Sequence, residues 1–151
     1  MGETFSCDTE SIDLFTEEIV RGTLFFSLSM IIKKIDSQVR MSANLGDWLV
    51  ISQGKATGSK GKVERVKVLA DVMHKVYEQN TILLVEKIAG EEEVPTNVQA
   101  IVVLNASDYP DVLAHVSVRA RNLKVLLCVL FDDAKCNDLV NLRGQHLKLE
   151  V

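Results

Sequence analysis

The sequence predicts an α/β domain with a covered sheet, preceded by a helical segment. After residue 46, short apolar runs bounded by glycine or charged residues alternate with stretches of helical periodicity. Before residue 44, apolar residues recur mostly at the three- and four-residue spacing of an amphipathic helix. The apolar runs are continuous, which is typical of strands that are buried on both faces. These observations favour a helical connector over 1–45 and an α/β domain over 46–151.

The elements follow from this pattern in chain order. One amphipathic helix is expected from Thr16 to about Ala43, or two with a break near Gly22. The segment 63–77 suits either a strand end that leads into a helix or a helix alone. A glycine- and lysine-rich loop is expected over 55–62, and an acidic turn over 90–95. Strands are predicted at 48–52, 81–85, 100–104, 124–131 and 146–151, and helices at 111–121 and 132–141.

Composition excludes several classes of function. The chain has 151 residues, of which 47% are apolar and 25% charged, as in an ordinary globular domain. Its net charge of -4 and the lack of a basic run argue against nucleic acid and membrane surfaces as partners. Three cysteines without paired spacing predict reduced thiols. No signal peptide or membrane span is evident, so we expect a soluble intracellular protein.

His115 is the principal candidate for chemistry. It is predicted near the start of a helix, where unpaired N–H groups and a partial positive charge favour anions. Ser117, Arg119 and Arg121 follow closely, and a phosphorylated histidine needs such donors and cations around it. Neutral imidazole is also available as a nucleophile near pH 7. On residue chemistry alone, a structural role for this histidine stays open.

Three strings extend this interpretation. Residues 115–121 read H-x-S-V-x-A-R, which resembles the active-site signature of swivelling phosphohistidine domains. Such domains occur in pyruvate phosphate dikinase, phosphoenolpyruvate synthase and enzyme I of the sugar phosphotransferase system. Residues 54–58, G-K-A-T-G, resemble a turn near the start of those domains. The longer string P-D-V-L-A-H-V-S-V-R-A-R-N at 110–122 closely resembles the α-glucan, water dikinase family, plant enzymes that phosphorylate starch-type glucans.

The pieces A-N-L-G-x-W at 43–48 and G-E-E-E-V-P at 90–95 resemble the same family. The resemblance implies a three-layer β/β/α swivelling domain over 46–151. It also implies that His115 accepts the β-phosphate of ATP, with release of AMP and phosphate, and passes it to a glucosyl hydroxyl. Arg119, Arg121 and Ser117 would stabilise the phosphate.

The same resemblance implies the partners. They are a starch-like glucan and an ATP-binding domain of the same polypeptide, with neither nucleic acid nor membrane. ATP and Mg²⁺ would belong to the full-length enzyme, and neither would be bound by this domain itself. The fragment is therefore expected to be inactive alone. The alternatives are the equivalent domain of a phosphoglucan, water dikinase or of a pyruvate dikinase, or a non-catalytic interaction module of the same fold.

Two positions depart from the family pattern. Ala114 stands where a serine usually precedes the histidine, so one hydroxyl donor is lost, although a helix N-terminus supplies backbone donors. Leu126 and Leu130 stand where plastid members carry a regulatory cysteine pair. This chain is therefore expected to lack that redox control, and a cytoplasmic location is favoured, with the plastid as the alternative.

The remaining polar residues are expected to have ordinary roles. His74, on a probable helix, and His146 lack recognisable partners in the sequence. The run 91–93 is interpreted as a solvated acidic turn, and no metal site is predicted. The lysines of the 55–62 loop lack the order of a phosphate-binding loop.

Overall fold

A computed structural model describes residues 28, 31, 35, 36, 38–40, 42–55 and 57–149. The chain divides into two compact units, Met1–Asn44 and Leu45–Val151. The roles assigned to 1–45 as a connector and 46–151 as a swivelling domain stay predictions.

In the first unit, every described residue from 28 to 43 is helical. Arg40 Nε donates to Asp36 Oδ2 at 3.1 Å and Ser42 Oγ to the Gln38 carbonyl at 2.9 Å. Both are contacts between neighbouring turns of a helix. The expected helix start at Thr16 lies outside the described residues. Within the described part of the chain, no helix has the length and hydropathy needed to cross a membrane.

The second unit is built on one six-stranded sheet. Its elements in chain order are β1 Trp48–Ser52, β2 Ser59–Val68, a 3-10 helix Leu69–Asp71, β3 Val76–Lys87, β4 Thr96–Val103, α1 His115–Leu123, β5 Leu126–Leu130, α2 Asp133–Asn141 and β6 His146–Leu149.

The strand order in the sheet is β1-β5-β4-β3-β2-β6. Strands β5, β4, β3 and β2 run parallel to one another, and β1 and β6 pair antiparallel at the two edges. Helix α1 connects β4 to β5, and α2 connects β5 to β6. The predicted α/β class is thus confirmed.

Both faces of the sheet are covered. Leu83 of β3 belongs to the core cluster that contains Val116 and Ala120 of α1. Ile82, its neighbour in the chain, belongs to the second cluster with Cys136 of α2. Successive side chains of a strand point to opposite faces, so a strand covered on both sides has to be apolar throughout. This explains the continuous apolar runs in the sequence.

The segment 63–77 contains no α-helix, so the helical interpretation of it was wrong. Strand β2 occupies its first part, and exposed and buried residues alternate along 59–63 as they do in a strand. Lys60 and Lys62 consequently lie in β2, not in the predicted loop. Position 61 of this strand is a glycine because a Cβ there would lie only 2.7 Å from the Asn80 carbonyl oxygen.

Two predicted helices begin later than expected. Helix α1 starts at His115 rather than at Asp111, because the Asp111 carboxylate accepts a hydrogen bond from Leu113 N at 2.7 Å. That local bond stabilises a turn in competition with a helix. Helix α2 starts at Asp133, and the side chain of Asp132 caps it by accepting from Lys135 N at 3.0 Å.

Leu126 and Leu130 are both buried on the α2 face of β5, with Cys128 between them. Residues four apart in a strand are separated by about 13 Å. A disulfide joins Cα atoms about 4.4–6.8 Å apart, so these two positions could not be bridged while β5 is intact. Cys128 and Cys136 are free and buried, and burial raises the pKa of the Cys128 thiol to about 12.

Candidate functional site

The candidate site lies where two loops meet at one edge of the parallel sheet. The loop after β3 spans 88–95 and the loop after β4 spans 104–114, directly before α1. Because β3 and β4 are parallel neighbours, their carboxyl ends and the loops that follow lie at the same edge. Val116 N donates to the Gly90 carbonyl at 2.9 Å and joins the first turn of α1 to the β3–β4 loop.

His115 is the first residue of α1, so it lies at the helix start as expected, although the predicted helix began at Asp111. Its side chain is 45% exposed. The residue before it, Ala114, is the N-cap and makes no capping hydrogen bond with its side chain. The Ala114 carbonyl accepts from both Ser117 N and Val118 N at 3.0 Å. The imidazole ring is thus exposed to solvent at the start of the helix.

The first amides of α1 already have partners. Val116 N is bonded to Gly90, and Ser117 N and Val118 N are bonded to Ala114. The expectation that the helix N-terminus offers free backbone donors is therefore not met at these three residues. An anion bound to His115 would depend mainly on side chains.

Glu93 is the immediate partner of His115. Its Oε1 lies 2.8 Å from His115 Nε2, and its Oε2 accepts from Arg119 Nε at 2.7 Å. One carboxylate thus bridges the histidine and an arginine one turn further along α1. The hydrogen bond from His115, followed by that from Arg119, lowers the pKa of the Glu93 carboxyl.

The lowered pKa determines how these contacts change the stability of the fold with pH. The folded state favours ionised Glu93, so the contacts stabilise the fold above the ordinary pKa of a glutamate. That stabilisation is lost as the pH falls through the lower pKa of the folded state. Because the three side chains are about 40% exposed, solvent screening keeps the contribution small.

Glu92 fixes the loop that carries Glu93. Its side chain is buried, and its two carboxylate oxygens accept from Ala89 N at 2.7 Å and Gly90 N at 2.6 Å. Gly90 itself has φ +110°, a conformation that L side chains rarely adopt. The prediction that the whole run 91–93 is a solvated turn was therefore wrong, and Glu91 is its exposed member.

Ser117 and Arg121 hold the turn in front of His115. Ser117 is fully buried, and its hydroxyl donates to the Asp111 carbonyl at 2.6 Å. The Arg121 guanidinium donates to the Val112 carbonyl at 2.6 Å. In this conformation both side chains bond to backbone carbonyls, whereas Arg119 shares the partner of His115. The assignment of all three to phosphate stabilisation stays a prediction.

The other residues singled out in the sequence lie away from this arrangement. His74 is exposed in a turn after the 3-10 helix rather than on a helix, and His146 begins β6 as expected. Lys55 Nζ donates to Gln99 Oε1 at 2.8 Å. Gly54 lies so close to Ser59 that a Cβ would be 2.7 Å from its hydroxyl oxygen, which explains the glycine at the start of that turn.

Sequence reasoning assigned no role to Glu92 and Glu93. The available signal was the string G-E-E-E-V-P at 90–95, which accompanies the histidine string in the family resemblance. Among the residues that the structure describes, no group of three or more histidine, cysteine, aspartate or glutamate side chains is arranged to hold a metal ion.

Replacing Ala114 with serine is expected to change the free energy of unfolding by no more than about 0.5 kcal/mol, because the amides that an N-cap hydroxyl would accept from, Val116 N and Ser117 N, already bond to the Gly90 and Ala114 carbonyls. Urea unfolding of the wild-type chain and the Ala114→Ser variant measures the difference. A clearly higher unfolding midpoint in the variant would contradict this and show that the hydroxyl gains an amide of the first turn.

The sequence of this chain is similar to one known protein family and to several named proteins. The family described as alpha-glucan water dikinase, phosphohistidine-like domain, matches residues 47–151. Alpha-glucan water dikinase, chloroplastic, of Citrus reticulata and the protein of the same name from Solanum tuberosum are each 39% identical over 150 residues, 99% of this chain. Alpha-glucan water dikinase 2 of Arabidopsis thaliana is 36% identical over all 151 residues. The chain spans 10–11% of the length of these relatives. No solved structure matches the chain.

Proposed function

The chain belongs to the alpha-glucan water dikinase family as a phosphohistidine-like domain, and we propose that its His115 carries a phosphoryl group from ATP to a glucan. The observation behind this proposal is the exposed imidazole at the start of α1, which shares the Glu93 carboxylate with Arg119. The ring offers a nitrogen nucleophile at neutral pH, and Arg119 offers a cation within the same contact.

Three steps complete the transfer. In the first, a ring nitrogen of His115 attacks the β-phosphorus of ATP, the bond to the α-phosphate breaks, and AMP leaves. In the second, water cleaves the bond between the β- and γ-phosphates, and the γ-phosphate leaves as inorganic phosphate. In the third, a glucosyl hydroxyl attacks the phosphohistidine, the N–P bond breaks, and the hydroxyl proton is released. Phosphoryl transfer of this kind depends on positioning and charge neutralisation.

Other parts of the longer polypeptide would supply what this domain does not. ATP would bind to a nucleotide-binding domain, and the starch-like glucan would be the acceptor. The residues described here offer no donor cluster that fits Mg²⁺, so no step assigned to this chain passes through a metal. Arg119 is the cationic side chain that this chain contributes near the phosphate.

The compartment proposed for this chain is the plastid. The relatives from Citrus reticulata and Solanum tuberosum are named as chloroplastic, which supports this alternative rather than the cytoplasm. The leucines at 126 and 130 then mean a member without the regulatory cysteine pair. Fractionation of source tissue with an antibody against this domain tests the location.

Labelled ATP tests the proposed chemistry. The full-length protein is incubated with ATP labelled at either the β- or the γ-phosphate, and acid-labile, base-stable label on the peptide containing His115 is measured. We expect label from the β-phosphate and none from the γ-phosphate. Label from the γ-phosphate, or no label on that peptide, would contradict the proposal.

Acceptors then separate the family alternatives. Transfer to unphosphorylated glucan is expected, while a phosphoglucan dikinase would require prephosphorylated glucan and a pyruvate dikinase would require pyruvate. A domain that takes label from no donor would be a non-catalytic module.

A further inference from the structure

Glu93 holds both of the groups that the proposed phosphotransfer needs. Its carboxylate contacts Nε2 of His115 through one oxygen and Nε of Arg119 through the other. The side chains of all three residues are 38–45% exposed, so a phosphate donor can reach them from solvent. In the described conformation the histidine and the arginine are therefore both bonded to one carboxylate.

The contact determines where the proton of the ring lies. An ionised carboxylate is only an acceptor, so His115 Nε2 carries a proton while Glu93 bonds to it. The lone pair needed for attack is then absent from Nε2. At the same time the positive charge of Arg119 is neutralised by the same carboxylate.

A phosphoryl group on Nε2 would compete directly with Glu93. The group carries close to two negative charges and has three acceptor oxygens. It would lie next to the Glu93 carboxylate, which repels it, and it would attract the Arg119 guanidinium, which bonds to the same carboxylate. The two anions cannot hold the same ring nitrogen and the same arginine together.

We propose that Glu93 is a placeholder for the phosphoryl group. In the dephosphorylated domain its carboxylate occupies the position that the phosphoryl group takes on Nε2 of His115, and phosphorylation displaces it and transfers Arg119 to the phosphate. This role rests on the proposed function of His115. Glu93 is thus a positioning residue that controls when His115 and Arg119 are available.

The loop allows the exchange without unfolding. Glu92 anchors the backbone on one side of Glu93 through its bonds to Ala89 N and Gly90 N. Val94 and Pro95 are buried on the other side. Rotation of the Glu93 side chain into solvent therefore suffices to release both partners.

A small phosphoryl donor tests this on the 151-residue chain. Phosphoramidate transfers its phosphoryl group to imidazole: the ring proton moves from Nε2 to Nδ1, the Nε2–P bond forms, the P–N bond of the donor breaks, and ammonia leaves. The rate of His115 phosphorylation is measured for the wild-type chain, Glu93→Gln and Glu91→Gln. The last variant removes the same charge at the exposed position two residues away and is the matched control.

We expect Glu93→Gln to be phosphorylated about threefold to tenfold faster than the wild type, since one nearby like charge and one competitor are gone. Glu91→Gln should stay close to the wild-type rate. Two readouts do not depend on the variants. ¹⁵N NMR should place the phosphate on Nε2, and ¹³C titration should show that phosphorylation raises the pKa of the Glu93 carboxyl from its lowered value.

The outcomes separate the two proposals. Equal rates in the three proteins, or phosphate on Nδ1 with the Glu93 titration unchanged, would overturn the placeholder role of Glu93. His115 would still be the residue that carries the phosphoryl group. A His115 that takes no label from phosphoramidate in any of the three proteins, and none from β-labelled ATP in the full-length protein, would overturn the proposed function itself.

Discussion

Replacement of His115 by alanine is expected to reduce labelling from β-labelled ATP in the full-length protein by about 10³-fold or more, because the nucleophile itself is removed. The matched control is His74→Ala, which removes another exposed histidine, in the turn before β3. That variant should keep the wild-type level of label. Equal labelling of the His115→Ala protein would mean that another residue carries the phosphate.

The same substitution should leave the fold intact. The His115 ring is half exposed, and its described side-chain partner is Glu93. A change of no more than about 0.5 kcal/mol in the free energy of unfolding is therefore expected. The pKa of the Glu93 carboxyl should rise, since the bond from His115 is the largest cause of its lowering. Urea unfolding and ¹³C titration of the 151-residue chain measure both effects and separate loss of chemistry from loss of structure.

Replacement of Glu92 by alanine is expected to lower the free energy of unfolding by about 2–4 kcal/mol, because two amides lose a charged acceptor. Ala89 N and Gly90 N both bond to this carboxylate, which is almost fully buried. Urea unfolding of the wild type, Glu92→Ala and Glu91→Ala measures the effect. The Glu91→Ala control alters an exposed neighbour and should change stability by no more than about 0.5 kcal/mol.

A second consequence of Glu92→Ala concerns the site. If the carboxylate fixes the loop, its loss should also free Glu93 from His115, and the pKa of the Glu93 carboxyl should rise toward its ordinary value. Stability equal to that of the Glu91→Ala control would show that water replaces the carboxylate at the two amides and that the loop is held by other contacts.

Several elements could be predicted from local pattern. The continuous apolar runs around Ile82 and Ile101 predicted strands covered on both faces, and the two core clusters confirm this. Helix α1 was expected and contains the candidate histidine, although it begins at that residue and not at Asp111. The segment 63–77 was misassigned because the exposed positions of β2 are filled by charged residues whose partners lie on the neighbouring strand. Arg65 Nε, for example, donates to Glu86 Oε1 at 3.0 Å. Such partners are not visible in local periodicity.

Long-range contacts account for what the pattern missed. Glu93 and His115 are 22 residues apart in the chain, and no periodicity relates them. They meet because β3 and β4 pair in parallel, which brings the loop after β3 to the start of α1. The burial of Glu92 and Ser117 follows from the same packing, since each satisfies backbone groups of the loops that meet there.

Local periodicity was enough to predict the α/β class, and the strings at 110–122 and 90–95 were enough to indicate the family and the histidine on which the proposal depends. The tertiary structure decided which side chains surround that histidine. It directed Ser117 and Arg121 to the preceding turn and placed Glu93 between His115 and Arg119. Side-chain partners depend on which strands lie side by side, and strand neighbours are chosen by packing of the whole sheet.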